Sequence, residues 1–294
     1  MSVELIRAMP CWQGKIAAEL LSGGLSNENW KVTDNVGSYV VRLGRDLPFH
    51  HVFRDRELAA SRAAHAAGFA PAVHHAEPGV LVVGFVEGRT WTEADMRAEP
   101  ARIAKLLRNF HQAMMAGIEG PPSIFWVFHT IRDYAATLKA KRSRFAPQLP
   151  ALLTLAAGLE KVQVPLPIIF GHHDLLPGNF LDDGKKLWLI DFEYAAFGTA
   201  MFDLAGVAGN AGMDRDAAAE LIATYFGSSA EPAMTKSFDA MKCAALLREA
   251  MWAMISEQFM NAPGADYDAH ARDYLARLDQ AVAQYQQTHG KISS

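Results

Sequence analysis

Apolar and polar positions alternate through residues 16–44 in three short runs, IAAELLSGG, NWKVTD and GSYVVRLG, with turn signals at Gly23-Gly24 and at Asn35-Val36-Gly37. A period of two between such turns predicts antiparallel strands joined as hairpins. The period then changes. RDRELAASRAAHAAGF is alanine-rich, carries helical spacing and stops at Gly68 with Pro71 close behind, as helices do. AVHHA and GVLVVGF return to strand-like runs, so the first 85 or so residues read strand-strand-strand-helix-strand-strand, a small α+β lobe. VEGRTW then reads as a connector.

Beyond residue 92 the spacing is helical over about 99–117, 129–146, 149–162, 201–210, 214–227, 232–261 and 267–287. A strand-like island at 167–191 interrupts it. The expected fold class is therefore α+β in two lobes: residues 1–86 as a sheet lobe with one helix, and residues 87–294 as a larger, mainly helical lobe. A cleft between two such lobes is the default place for a ligand.

Composition narrows the setting. A chain of 294 residues, half of them hydrophobic, can bury a large core. Its apolar runs are short, and Glu4 and Arg7 stand where a secretory signal would need apolar residues, so neither a membrane span nor export is expected. Cys11 and Cys243 are far apart and lack metal-ligand spacing; a reducing cytoplasm fits. A net charge of −4 argues against a nucleic-acid partner. The basic run LKAKRSRF (Lys139, Lys141, Arg142, Arg144) reads as the solvated face of a helix before it reads as an anion site. No feature bears on oligomeric state.

Within the island, residues 171–180 read GHHDLLPGNF. Two histidines, an aspartate and an asparagine around Leu-Pro-Gly predict an exposed, rigid turn, open to three readings: a metal site, a catalytic loop, or a polar turn without chemistry. Adjacent residues on an extended chain point to opposite sides, which weakens chelation by His172-His173, and equally by His50-His51 and His74-His75. Asp191 and Glu193 follow an apolar strand shortly afterwards. If the DDGKK turn joins antiparallel strands, Asp174, Asn179 and Asp191 share one site. Hard oxygen ligands without sulfur favour Mg²⁺ over zinc, and Mg²⁺ in enzymes usually accompanies phosphates. LSGGLSNENWKV offers a phosphate cradle in Gly24, Ser26 and Asn27, although taken alone such a stretch is more commonly a Gly-Gly hairpin turn without a ligand. Neither the Walker pattern nor the dinucleotide Gly-x-Gly-x-x-Gly occurs.

The order of parts is more specific than any one of them. A glycine hairpin, a strand-borne cation and a helix-borne glutamate precede His172-x-Asp174-x-x-x-x-Asn179 and Asp191-Phe192-Glu193. Through most of its length the chain resembles the aminoglycoside phosphotransferase and choline kinase superfamily of protein-kinase-like enzymes. GGLSN, HxDLxPGNF and LIDFEYAxFxxxxFDLA are similar to the choline/ethanolamine kinase branch. The resemblance implies ATP and Mg²⁺, with Asp174 as the base that receives the substrate hydroxyl and Asn179 and Asp191 as metal holders. Glu193 would reinforce the metal site, unless it is a solvated strand-end carboxylate. His172 would shape the catalytic loop, and Asp203 would cap a helix or brace that loop. Arg42 would bind the α- and β-phosphates with Glu57 holding it, and the backbone at Gly84 and Val86 would meet adenine. Trp252 and Tyr267 match aromatics that enclose an ammonium head in this branch, whereas Glu249 and His270 stand where two further aromatics are expected. A carboxylate there tilts the expected acceptor from choline toward ethanolamine or another amino alcohol. Thiamine, an aminoglycoside or a sugar alcohol are the rival acceptors; a pseudokinase scaffold and a metal-dependent hydrolase are the rival classes.

Overall fold

The structure, a computed structural model, describes residues 2–21, 27–262 and 264–292. Gly24 and Ser26 lie outside the described residues. The chain starts with helix α1 (Ser2–Ala8), followed by strands β1 (Ala17–Leu21), β2 (Glu28–Thr33) and β3 (Ser38–Leu43), helix α2 (Arg54–Ala66), and strands β4 (Val73–Glu77) and β5 (Val80–Gly84). The five strands form one antiparallel sheet in the order β1-β2-β3-β5-β4. Val32, Val41 and Val82 are buried on one face against Ile6 and Met9 around α1, a small core that the sequence pattern did not announce at its helical end. Because side chains alternate along a strand, burying Val41 there turns Val40 and Arg42 to the opposite face, where both line a cleft. Leu47, Val52 and the buried face of α2 (Ala60, Ala63, Ala64) belong to the larger hydrophobic core below.

The rest of the chain runs β6 (Arg89–Thr90), α3 (Glu93–Ala98), α4 (Pro100–Gly117), α5 (Val127–Ala140), α6 (Leu149–Glu160), β7 (Ile168–Gly171), β8 (Phe180–Asp182), β9 (Leu187–Leu189), β10 (Ala196–Thr199), α7 (Ala200–Ala211), α8 (Arg215–Phe226), α9 (Pro232–Phe259) and α10 (Tyr267–His289). The expected helices are all present. Beyond expectation are α3, nucleated by a reciprocal cap between Thr92 and Asp95, and β6, which turns part of the expected connector into an edge strand beside β8. As expected, β8 and β9 pair antiparallel across the DDGKK turn. β10 lies beyond the expected island and pairs antiparallel with β7.

Helix α9 is buried nearly all round between Ser237 and Ser256, where most of its residues are apolar, and lies against α5, α6, α7 and α10. It carries Arg248, Glu249 and Trp252 from the core to the cleft. The basic run at the end of α5 is a solvated surface: Lys139, Lys141 and Arg142 are exposed, and Arg144 pairs with Glu257 and Asp268. Among the described residues, no helix is long and apolar enough to cross a membrane.

Candidate active site

The histidine-aspartate turn between β7 and β8 is not the exposed turn that its Leu-Pro-Gly composition suggested. His172 and His173 are 0% and 2% exposed. Burial here requires a partner for each backbone group, and Asp203 supplies it. Its carboxylate accepts the N–H of His172 at 2.9 Å, the N–H of His173 at 2.7 Å and a contact from His111 Nε2 at 2.8 Å. His173 sits in the left-handed region (φ 61°), which turns two successive amides toward one carboxylate. The neighbouring glycines make room: a Cβ on Gly171 would stand 2.4 Å from His173 Cε1, and one on Gly198 2.8 Å from His173 Nε2. Asp203 is thus a brace for the loop and not a helix cap, since Thr199 occupies the N-cap of α7. Burial would raise its pKa, but His173 and His111 outweigh that and hold it well below the usual carboxylate range. Burial lowers the pKa of His172, so its ring is neutral; Nε2 donates to the carbonyl of Ile190 (2.9 Å) and Nδ1 accepts the N–H of Asp174 (3.3 Å).

The loop presents Asp174 and Asn179 to the cleft. Asn179 Nδ2 donates to the Asp174 carbonyl (2.7 Å) and to its Oδ2 (3.3 Å), while the N–H of Ile190 donates to the Asn179 carbonyl at 3.1 Å. These bonds carry the loop across to Asp191, so the β8–β9 hairpin does bring the three residues to one place. Asp191 is itself left-handed (φ 68°), a conformation that a non-glycine residue holds only when its surroundings enforce it. One of its oxygens meets Arg42 at 2.6 Å; the other, Oδ1, is buried without a hydrogen-bond partner. Burial, then the nearby charges of Glu249 and Asp191, push the Asp174 carboxyl well above its ordinary pKa, against the pull of Arg248.

Above the loop stands a compact cluster of charge. Arg42 on β3 reaches Glu57 (2.7 Å), Asp191 (2.6 Å) and Glu193 (3.5 Å). Burial opposes its charge, yet Asp191, Glu57 and Glu193 outweigh that and raise its pKa. Glu193 is neither solvated nor free: its Oε2 is shared by Arg42, by Arg54 at 3.1 Å and by Asn27 Nδ2 at 3.3 Å. Burial and the charge of Asp191 push its carboxyl up. Arg54, which sequence reasoning missed, also bonds Glu57 at 2.5 Å. A signal existed, because Arg54 and Glu57 are three residues apart on one helix and so share a face.

The cleft between the sheet and the helical part has a volume of about 710 Å³. Its sheet side is apolar (Val40, Ala70, Leu81, Val83) and faces Leu181 and Ile190, with Gly84 and Val86 at the rim. The N–H of Gly84 donates to the carbonyl of Ala72 at 2.9 Å. At the other end, Asp174 meets Arg248, Glu249, Trp252 and His270. Trp252 is fixed by a hydrogen bond to Tyr194 (2.9 Å) and by stacking on His50 (ring centroids 5.1 Å apart). Glu249 contacts Arg248 at 2.7 Å and His270 Nε2 at 3.2 Å; burial would raise its pKa, but these two partners lower it. Tyr267 packs edge-on behind Trp252, at 6.1 Å, and is not among the residues lining the cleft. Arg248 lines it instead, and sequence reasoning passed it over.

The profile of the family described as "Phosphotransferase enzyme family" matches residues 17–271. A probable ethanolamine kinase of Arabidopsis thaliana is 31% identical over 210 residues, which cover 64% of this chain and 54% of that protein. The chain thus spans about half the length of that relative. A choline/ethanolamine kinase family protein of Mesorhizobium loti superposes with a TM-score of 0.78 at 26% identity, covering 99% of each chain. A LicA protein in complex with AMP shares the fold, with a TM-score of 0.70 at 18% identity over 97% of this chain and 96% of that one. With its sheet lobe set over a helical lobe in the protein-kinase-like manner, the chain belongs to the phosphotransferase enzyme family.

Proposed function

We propose that the protein is an ATP- and Mg²⁺-dependent kinase that phosphorylates the hydroxyl of a small amino alcohol, with ethanolamine favoured over choline. The observation that carries this reading is the meeting, in one cleft, of Asp174, Asn179 and Asp191 with a corner made of Glu249, Trp252 and His270. Residues 1–86 would hold the nucleotide, and residues 87–294 would supply the chemistry and the acceptor site.

The apolar wall of Val40, Ala70 and Val83 opposite Leu181 and Ile190 suits a purine, and the backbone at Gly84 and Val86 offers polar groups at its edge. Asn27 and the fork of Arg42, steadied by Glu57, face the path of the phosphates; Gly24 and Ser26 would belong to the same cradle. The residues present fit a divalent ion. Asp191 Oδ1 is a buried acceptor without a partner, and Asn179 uses its amide nitrogen on Asp174 and keeps its amide oxygen for the cleft. Among the described residues no three His, Cys, Asp or Glu side chains group to hold a metal by themselves, so the nucleotide phosphates and water would complete the oxygen shell. When bound, the ion neutralises phosphate charge as the phosphoryl group transfers. Glu193 would act at the site through Arg42 and Arg54, whose charges it holds in place.

Asp174 would orient the acceptor hydroxyl and take its proton, and its raised pKa brings its basicity closer to that task. Glu249 can accept hydrogen bonds from a primary ammonium, which a quaternary one cannot donate, while Trp252 offers a ring face to the cation. With Tyr267 set behind Trp252 and a histidine at position 270, an all-aromatic cage is incomplete, which supports the primary amine. The test is initial rates with Mg²⁺-ATP on ethanolamine, choline, thiamine, an aminoglycoside and a sugar alcohol. The reading expects the highest kcat/KM on ethanolamine; a choline value equal or higher would overturn the preference, and silence on every acceptor despite Mg²⁺-ATP binding would favour a nucleotide-binding scaffold.

A further inference from the structure

Resting on that reading, we infer that Arg248 is the cation that meets the transferred phosphoryl group from the acceptor side, and that its ion pair with Glu249 holds it back until an acceptor ammonium engages Glu249. Transfer forms a bond between the acceptor oxygen and the γ-phosphorus, breaks the bond from that phosphorus to the β,γ-bridging oxygen, leaves the electron pair on the nucleoside diphosphate and sends the hydroxyl proton to Asp174. Negative charge on the moving group calls for a positive partner beside the base. The loop itself has none: residues 172–179 contain no lysine or arginine. Arg42 and Arg54 stand on the sheet side, held by Glu57 and Glu193.

Arg248 is placed differently. It is 3% exposed, and its Nη1 lies 3.7 Å from Asp174 Oδ1 and 2.7 Å from Glu249. Its Nε and Nη2 are buried without hydrogen-bond partners, a state that leaves two strong donors unused beside the base. The guanidinium is positioned by a ring face, 4.3 Å from the Tyr194 centroid, so the donors that would usually be consumed in fixing an arginine stay available. An oxygen bonded to Asp174 and in line with a γ-phosphate puts the phosphoryl group within reach of the same guanidinium. Glu249 is shared between Arg248 and His270, at the place proposed for the acceptor's nitrogen. An ammonium bound there competes for the carboxylate and loosens Nη1, which couples acceptor occupancy to charge at the phosphate.

The experiment compares wild type with Arg248→Lys, Glu249→Gln and the double variant Arg248→Met/Glu249→Gln, which removes both members of the pair and so leaves no unpaired charge on either. Readouts are kcat and KM for each substrate, acceptor-free ATP hydrolysis, and melting temperature. With melting temperatures near wild type, Arg248→Lys should lose on the order of 10²-fold in kcat with both KM values changed little. Glu249→Gln should raise the acceptor KM and raise acceptor-free hydrolysis. The double variant should lose that hydrolysis again. If the double variant turns over as fast as Glu249→Gln, or Arg248→Lys keeps the wild-type kcat, Arg248 is a structural counter-charge only and the inference fails. Unchanged acceptor-free hydrolysis in Glu249→Gln overturns the restraint by that residue. A wild type that transfers phosphate to no acceptor overturns the kinase reading itself.

Discussion

Asp203→Asn isolates what the buried carboxylate does for the loop of residues 172–179, because the shape is kept and only charge and acceptor capacity change. The aspartate accepts from two backbone amides and faces His111, all within 2.7–2.9 Å, with no solvent access to its side chain. An asparagine has one acceptor oxygen, so its NH₂ group must face a backbone N–H or the His111 ring nitrogen. Hydrogen bonds to a charged group contribute about 1.5–3 kcal/mol each, and breaking a buried charged network typically removes about 3–5 kcal/mol. For a chain of 294 residues the melting temperature should then fall by roughly 5–8 °C at pH 7. The pH dependence adds a second signature. Because the folded-state pKa of Asp203 lies below its unfolded value, its contribution is fully present above about pH 4 and is lost as pH falls through the folded value. The gap between wild type and variant should therefore be complete at pH 7 and narrow on further acidification below about pH 4. Thermal unfolding followed by circular dichroism at a series of pH values reads both. A melting temperature within about 1 °C of wild type at pH 7 would refute the bracing role.

Other residues give sharper functional readouts. Gly171→Ala places a Cβ 2.4 Å from the His173 ring and should destabilise by about 1–3 kcal/mol, visible as a shifted urea midpoint; an unshifted midpoint would mean the loop has slack that the geometry denies. Trp252→Ala should raise the acceptor KM by roughly 2–30-fold, the equivalent of one ring facing a cation, with the ATP KM unchanged; a change confined to the ATP KM would place Trp252 outside the acceptor site. If Asp174 is the base proposed above, the reaction needs it ionised; because burial raises its pKa, kcat/KM should fall on the acid side around a value above about 3.9, the ordinary aspartate figure. A rate that stays level through pH 4 would remove Asp174 from the role of base.

Why the meeting of Asp174, Asn179 and Asp191 was legible and its surroundings were not follows from sequence distance. His172 to Glu193 fold on one another across a single short hairpin, so residue spacing nearly fixes their geometry. Strands β1 to β5 and the long helices declare themselves through periods of 2 and 3.6 that need no knowledge of partners. The burial of the loop was not visible, because it depends on Asp203 and Gly198, which meet His173 only once β7 and β10 have paired. Arg54 and Glu193 are 139 residues apart, and their ion pair exists only after the sheet has closed over the hairpin. Arg248 sits in a run of apolar residues on α9, where periodicity speaks for a core helix and says nothing of the cleft its side chain reaches. Helix α1 is too short to show a period, and its Ile6 matters only against Val41 and Val82.

The role proposed for the carboxylate of Asp174 is to serve transfer of phosphate from ATP to a small amino alcohol. It is tested most directly by following product with ³¹P NMR, using Mg²⁺-ATP and ethanolamine, for wild type and Asp174→Asn side by side. A phosphomonoester resonance should grow in step with ADP in the wild type. In Asp174→Asn it should form at least about 10²-fold more slowly, although Mg²⁺-ATP still binds. A phosphomonoester formed at comparable rates by both proteins, or ADP and inorganic phosphate with no phosphorylated alcohol in the wild type, would contradict it.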